Sequence, residues 1–265
     1  MEQQFSYNEF SLFVKVEGNG IPLLLLHGYL EDHTVFDRVV PALISKYKVI
    51  MVDFPGHGKT ESPESDYSFE EFAVLLNELL KKLEINEKIH LAGHSMGGYA
   101  ALAFARLYSM KVRSLSLFHS LVSAASPIGK SQRLREARLI KKGRKDLLVN
   151  ALTGSNFAPG NELIFKSDYN RLKEIGNRVT DRGALAAINA MVKRDSSQEI
   201  SEGSNFPKLF IIGGKDQVFQ PQLQLSEAGS SRNATIVVLE NSGHIGFLEE
   251  EELFLREFIG FISMH

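Results

Sequence analysis

Short unbroken apolar runs alternate along this chain with longer stretches in which apolar residues recur at helical spacing. Residues 21–26 read IPLLLL, and a run with no polar face predicts a strand buried on both sides of a sheet. Similar runs at 48–52, 88–93, 112–118, 208–212 and 235–239 predict further strands. Residues 5–16 mix aromatic and β-branched side chains with polar ones, which suits one or two exposed strands near a sheet edge, and the turn signal Glu17-Gly18-Asn19-Gly20 follows. Helical patterns cover 33–45, 68–83, 100–108, 221–228 and 248–261, with Ser68 and Glu71 spaced as a capping box. Strands and helices alternating through short connections predict an α/β class: a mainly parallel sheet of about eight strands with helices on both faces.

That rhythm breaks once. Residues 121–205 carry helical patterns at 132–151, 162–179 and 184–192 and no convincing strand. A helical cap inserted after the sixth strand, over one end of the sheet, is therefore expected. The expected division is a core of 1–120 and 206–265 and a cap of 121–205.

Composition narrows the picture. At 265 residues the chain is long enough for one large core with an insertion and too short for two generous domains. Its 43% hydrophobic and 23% charged content is that of a soluble globular protein. A formal net charge of -2 argues against a general nucleic-acid binder. The lack of cysteine excludes disulfides, thiolate nucleophiles and thiolate metal sites. No apolar run approaches the roughly 20 residues of a membrane span. The opening MEQQFSYNEF has neither the basic tip nor the apolar core of a signal peptide. A cytoplasmic protein without stable membrane insertion is the expectation.

Candidate chemistry begins at Gly93-His94-Ser95-Met96-Gly97, a G-x-S-x-G sequence with a predicted strand before it and a predicted helix after it. A serine at so tight a strand-to-helix turn sits in a strained backbone region, and its neighbours two residues away must be nearly free of side chain. Gly93 and Gly97 meet that need. The turn aims the Met96 amide, in the first helical turn, at the space before Ser95 Oγ, where negative charge develops in acyl transfer.

In an open parallel sheet, ligands bind beyond the carboxyl ends of the strands. Ser95, Asp216, His244 and the segment His27-Gly28-Tyr29 all lie just past predicted strand ends. Serine needs an adjacent base, and the base needs a carboxylate to fix its tautomer. Ser95 as nucleophile, His244 as base and Asp216 as orienting acid supply these roles, and His244 is expected within hydrogen-bonding reach of both partners. An oxyanion site needs two amides aimed at one point. The second donor after Met96 is expected to be the amide of Tyr29, with Gly28 letting substrate approach and His27 tying down the loop by hydrogen bonds. Residues 53–58, DFPGHG, read as a rigid turn. His27, His57, His90 and His94 form no metal pattern on one element, so no metal site is expected. A small-molecule substrate is implied.

The cap carries a basic helix in which Lys130, Arg133, Arg135, Arg138, Lys141, Lys142, Arg144 and Lys145 face only Glu136 and Asp146. It is read as a solvated face, with Leu134, Leu139, Leu147 and Leu148 packing inward. Phe157 and Phe165 are apolar enough to roof a pocket or to form the cap's own small core.

Together, His27-Gly28-Tyr29, Asp53-Phe54-Pro55-Gly56-His57-Gly58, Gly93-His94-Ser95-Met96-Gly97-Gly98, Gly214-Lys215-Asp216 and Ser242-Gly243-His244 resemble the α/β-hydrolase superfamily along nearly the whole chain. Within it, the sequence looks like the small capped serine esterase, haloperoxidase-like and carbon-carbon bond hydrolase group. The resemblance implies the same roles for Ser95, His244, Asp216, Tyr29 and Met96. It implies hydrolysis of a small or medium carboxylic ester with no metal or organic cofactor. Carbon-carbon bond hydrolysis, or the related elimination step of menaquinone synthesis, is the alternative, and a ligand receptor without catalysis is a third. Serine at position 95, where epoxide and haloalkane hydrolases carry aspartate, counts against those two activities.

Overall fold

The run IPLLLL lies in the middle of the sheet, as its lack of a polar face requires. The structure, a computed structural model, describes residues 1–7 and 10–265, Phe10 by its backbone alone. Residues 8 and 9, inside the expected edge strands, lie outside the described residues. One sheet holds β1 (Glu2–Tyr7), β2 (Phe10–Glu17), β3 (Ile21–Leu26), β4 (Tyr47–Val52), β5 (Ile89–His94), β6 (Val112–Phe118), β7 (Lys208–Gly213) and β8 (Ala234–Leu239). Its strand order is β1-β2-β4-β3-β5-β6-β7-β8. β2 runs antiparallel to β1 and to β4, and every remaining neighbour pair is parallel.

Alternation along the strands builds two core layers. Leu24 and Leu26 of β3 belong to the layer that holds Phe72, Leu76 and Ala100, whereas Leu23 and Leu25 belong to the layer that holds Leu43, Phe254 and Phe258. Helices α1 (Val40–Leu43) and α12 (Glu251–Met264) supply the second layer, and α2 (Phe69–Lys82) and α3 (Met96–Leu107) the first. Burying each such leucine contributes about 1.5–3 kcal/mol, so this double-sided packing fixes where the strand ends lie. The predicted capping box is present: Ser68 Oγ accepts from the Glu71 amide, and the Glu71 carboxylate accepts from the Ser68 amide.

Between β6 and β7, the described residues form helices only: α4 (Pro127–Lys141), α5 (Lys145–Asn156), α6 (Asn161–Ile164), α7 (Lys166–Arg178), α8 (Asp181–Lys193) and α9 (Gln198–Gly203). After β7 come α10 (Pro221–Gly229) and α11 (Gly246–Glu249), the latter just before α12.

Four expected helices are broken. Residues 33–45 form a single 3-10 turn, His33–Phe36, and the one-turn α1. Pro41 has no amide to continue the hydrogen-bond ladder from the preceding turn. The stretch 132–151 is split where Gly143 adopts φ +68°, the left-handed conformation that ends helices. Breaks at Phe165 and Glu250 divide the stretches expected at 162–179 and 248–261.

Candidate active site

Ser95 joins β5 to α3 with φ +49° and ψ −112°, a region that non-glycine residues seldom occupy. The turn is held on both sides. The Ser95 amide donates to Phe118 O at 2.9 Å, and the Ser95 carbonyl accepts from Ser120 Oγ at 2.8 Å. A Cβ at Gly97 would collide with the carbonyl of Leu26, and one at Gly93 with the carbonyl of Gly97. The glycines are thus what lets β3, β5 and α3 meet at this point. Met96 opens α3, so its amide has no partner within the helix. Among the described residues, neither the Met96 amide nor the Tyr29 amide donates to another protein group.

His244 follows β8 and is fixed at three points. Its amide donates to Asn156 O at 2.7 Å, at the end of α5. Its carbonyl accepts from His94 Nε2 at 2.8 Å. Its Nδ1 lies 2.9 Å from Asp216 Oδ2. Asp216 follows β7, and its Oδ1 accepts from the amides of Val218 and Phe219 at 2.8 and 2.9 Å, while Oδ2 also accepts from Gln224 Nε2 at 3.1 Å. Burial pushes the Asp216 carboxyl up, but the His244 ring, with His119 and the Phe219 amide, outweighs it and holds the group at about 2. An ionised carboxylate only accepts, so His244 Nδ1 carries the proton and Nε2 presents a lone pair.

His119, after β6, lies beside this acid. Its Nε2 accepts from the Gly246 amide at 3.0 Å, which leaves the proton on Nδ1, 3.9 Å from Asp216 Oδ2. Burial holds its pKa well below the ordinary histidine value.

Ser95 and His244 line one cavity of about 30 Å³ with Tyr29, Leu30, Glu31, His94 and Val218 from the sheet side. From the helical insertion come Arg133, Val149, Leu152, Thr153, Asn156 and Leu172. No hydrogen bond joins Ser95 Oγ to His244 among the described residues. The expected second bond is thus not made, as is common where such contacts tighten only around a reacting substrate.

His27 and Gly28 shape the loop after β3. His27 Nε2 accepts from the Phe54 amide at 3.0 Å, so its Nδ1 donates to Gly28 O at 2.8 Å. The DFPGHG turn packs beneath: Asp53 accepts from the amides of His33 and Lys59 at 2.7 and 2.9 Å.

One open alternative in the insertion is decided and one expectation is corrected in part. Phe157 and Phe165 do not line the cavity; their rings stack 6.4 Å apart, and Phe157 belongs to the core layer with Leu172 and Ile175. On α4, the inward stripe is Arg133, Glu136, Ala137 and Ile140; Leu134 is exposed, as is Leu147 on α5, whereas Leu148 is buried and Leu139 packs partly buried against the core, as expected. Arg133 donates to Glu136 Oε2 at 2.8 Å and lies 5.4 Å from the centre of the Tyr29 ring. Burial opposes its charge, and Glu136 more than restores it, raising the pKa. Glu31, His94 and Arg133 are cavity residues that motif reading passed over.

The alpha/beta hydrolase fold family profile matches residues 21–251. The chain is 27% identical over 246 residues to a dihydrolipoyllysine-residue acetyltransferase component of an acetoin cleaving system from Pseudomonas putida, covering 93% of this chain and 64% of that one. It thus spans less than two thirds of that relative's length. It is also 27% identical over 238 residues to Lipase 1 of Psychrobacter immobilis, covering 87% of this chain and 73% of that one. A malate-bound thermophilic esterase from Thermogutta terrifontis superposes with a TM-score of 0.93 at 24% identity, covering 100% of this chain and 98% of the other. With the strand order, the serine turn and the family match in agreement, the chain belongs to the alpha/beta hydrolase fold family.

Proposed function

We propose that the chain hydrolyses a small or medium carboxylic ester through an acyl-enzyme on Ser95. The observation that carries this reading is the Asp216–His244 bond, which leaves His244 Nε2 as a free base in the cavity that Ser95 shares. Similarity to a lipase supports ester chemistry. In this mechanism Ser95 Oγ attacks the ester carbonyl carbon while His244 Nε2 takes its proton. The carbonyl oxygen becomes an oxyanion facing the amides of Tyr29 and Met96 and the positive end of α3. His244 then protonates the departing alcohol and activates water to release the acid. These groups supply the charge stabilisation, so the mechanism calls on no metal or organic cofactor. His27 and Gly28 support the loop that presents Tyr29.

Residues 121–205 act in this reading as a cap over the core of 1–120 and 206–265. In this reading α5 and α7 contribute Val149, Leu152 and Leu172 to the cavity wall. A turnover screen over short p-nitrophenyl esters, lactones and vinylogous diketo-acids, with Ser95→Ala as blank, tests the reading. Short esters should turn over fastest, and equal turnover by the blank contradicts it.

Tyr29 acts through its amide alone in this mechanism, although among the described residues its buried hydroxyl has no hydrogen-bond partner. Tyr29→Phe should therefore keep most of kcat. A loss as large as that of Ser95→Ala means that the hydroxyl takes part.

One observation favours a second reading, carbon-carbon bond hydrolysis of a dienoic or β-diketone acid by the same three residues. That reaction needs a cationic anchor for the substrate carboxylate, and Arg133, paired with Glu136, lines the cavity. Arg133→Gln should raise KM for a vinylogous diketo-acid by about 10-fold or more, the scale of one lost charge-assisted hydrogen bond, and leave KM for a neutral short ester unchanged. Equal effects on both substrates remove the anchor role.

A further inference from the structure

Beside Ser95 lies a buried pair that the ester mechanism does not use. Glu31 and His94 are 3% and 1% exposed, and His94 Nδ1 is 2.9 Å from Glu31 Oε2. The opposite ring nitrogen, Nε2, faces the carbonyl oxygen of His244 at 2.8 Å. A carbonyl only accepts, so Nε2 carries a proton, and a carboxylate on Nδ1 holds a second one there. Burial works against both charges, but their mutual attraction prevails: His94 is raised and Glu31 lowered from their ordinary values.

The bonds made by this pair reach both halves of the proposed machinery. Glu31 Oε2 also accepts from the Gly28 amide at 2.6 Å, while His27 Nδ1 donates to the Gly28 carbonyl. Gly28 is thus clamped at both ends. In a trans peptide the carbonyl and the following N–H point in opposite directions, so clamping the Gly28 carbonyl sets the direction of the Tyr29 amide. A Cβ at Gly28 would lie 2.8 Å from both Glu31 Oε2 and His94 Nδ1, so glycine is what lets the pair close over this loop. On its other side, His94 holds the backbone of His244.

We infer that Glu31 and His94 are positioning residues: an ion pair that fixes the Gly28 amide and the His244 backbone and, together with His27 on the Gly28 carbonyl, keeps the Tyr29 amide in register with Ser95. This rests on the ester-hydrolase reading. Both residues also line the cavity, but the pair's bonds go to Gly28 and the His244 backbone, so its removal falls chiefly on kcat.

Other charged or titratable groups face His94 from every side. His244 lies 5.0 Å away, ring centre to ring centre, His119 lies 6.0 Å away, and Asp216 contributes to the field at His94. Any pH profile therefore reports the cluster, so the decisive readouts are a kcat-against-KM split and the protonation of His94 itself.

The test is the isosteric Glu31→Gln. Its kcat on a short p-nitrophenyl ester should fall about 10- to 100-fold with KM little changed, short of the about 10²- to 10³-fold cost of losing a donor outright. Affinity for a tetrahedral mimic, an alkyl boronic acid, should fall in parallel, and Glu31→Asp should recover part of both. In imidazole ¹⁵N spectra at pH 6.5, the ordinary histidine midpoint, His94 of the unaltered protein should be mainly doubly protonated and that of Glu31→Gln mainly singly protonated. Unchanged kcat in a folded Glu31→Gln, or a rise in KM that accounts for the whole loss, overturns the proposal. A singly protonated His94 in the unaltered protein overturns it even if the variant does not fold. Failure of the ester reading shows differently: the unaltered protein turns over no ester, while the spectra still report on the pair.

Discussion

Ser95→Ala is expected to lower kcat on short p-nitrophenyl esters by about 10⁶-fold, the scale seen when a serine nucleophile acting in concert with its base is deleted. The residual rate reflects the oxyanion amides and substrate binding alone, which give about 10³- to 10⁴-fold over water in such sites. Folding should be nearly untouched. No hydrogen bond among the described residues uses Ser95 Oγ, and the strained φ of +49° is equally costly for serine and alanine. Thermal midpoints matching the unaltered protein, beside the lost turnover, would separate chemistry from stability. Retention of even a hundredth of the rate is incompatible with nucleophilic attack by Ser95.

Asp216→Asn should cost about 10⁴-fold in kcat, for a reason visible in the bonding. The Val218 and Phe219 amides both point at one carboxylate oxygen. An asparagine must turn its single carbonyl oxygen to them and its NH₂ toward His244 Nδ1. That group can only donate, so the proton moves to Nε2, and the ring no longer offers Ser95 a lone pair. The same substitution has a signature in acid. The folded pKa of Asp216, about 2, lies below its ordinary value of 3.8. Its stabilising contribution is therefore complete above the ordinary value and is lost as pH falls through about 2. Denaturant midpoints measured from pH 5 to pH 2 should fall more steeply for the unaltered protein than for Asp216→Asn. Parallel curves contradict the depressed pKa.

The parts of this fold that sequence reading reached are those where one physical constraint dominates. IPLLLL can only be a central strand, because every residue must find an apolar neighbour. Gly93 and Gly97 flank Ser95 because backbone atoms occupy the space that a side chain would need. Ser68 and Glu71 signal a helix start through two reciprocal bonds. Where several forces compete, periodicity misled. Helix α4 has two plausible stripes, and periodicity favours Leu134 over Arg133, Glu136, Ala137 and Ile140, since a buried arginine is acceptable only with its partner three residues on. That spacing was present in the sequence, but charge pairs at this distance more often lie in solvent. Glu31 and His94 are 63 positions apart, and only the pairing of β3 with β5 brings them together. The place of Phe157, pocket roof or core, is left open by the sequence because an apolar cap residue can face either, and composition does not distinguish the two.

The role of Ser95 is tested most directly by intact-mass analysis of protein quenched from acid during turnover of a slowly deacylating p-nitrophenyl ester. The expected result is one added acyl group per chain, mapped to the peptide containing Ser95 and absent from Ser95→Ala. No adduct at any ester chain length, together with rapid turnover of a vinylogous diketo-acid, would contradict the ester mechanism and favour cleavage of a carbon-carbon bond.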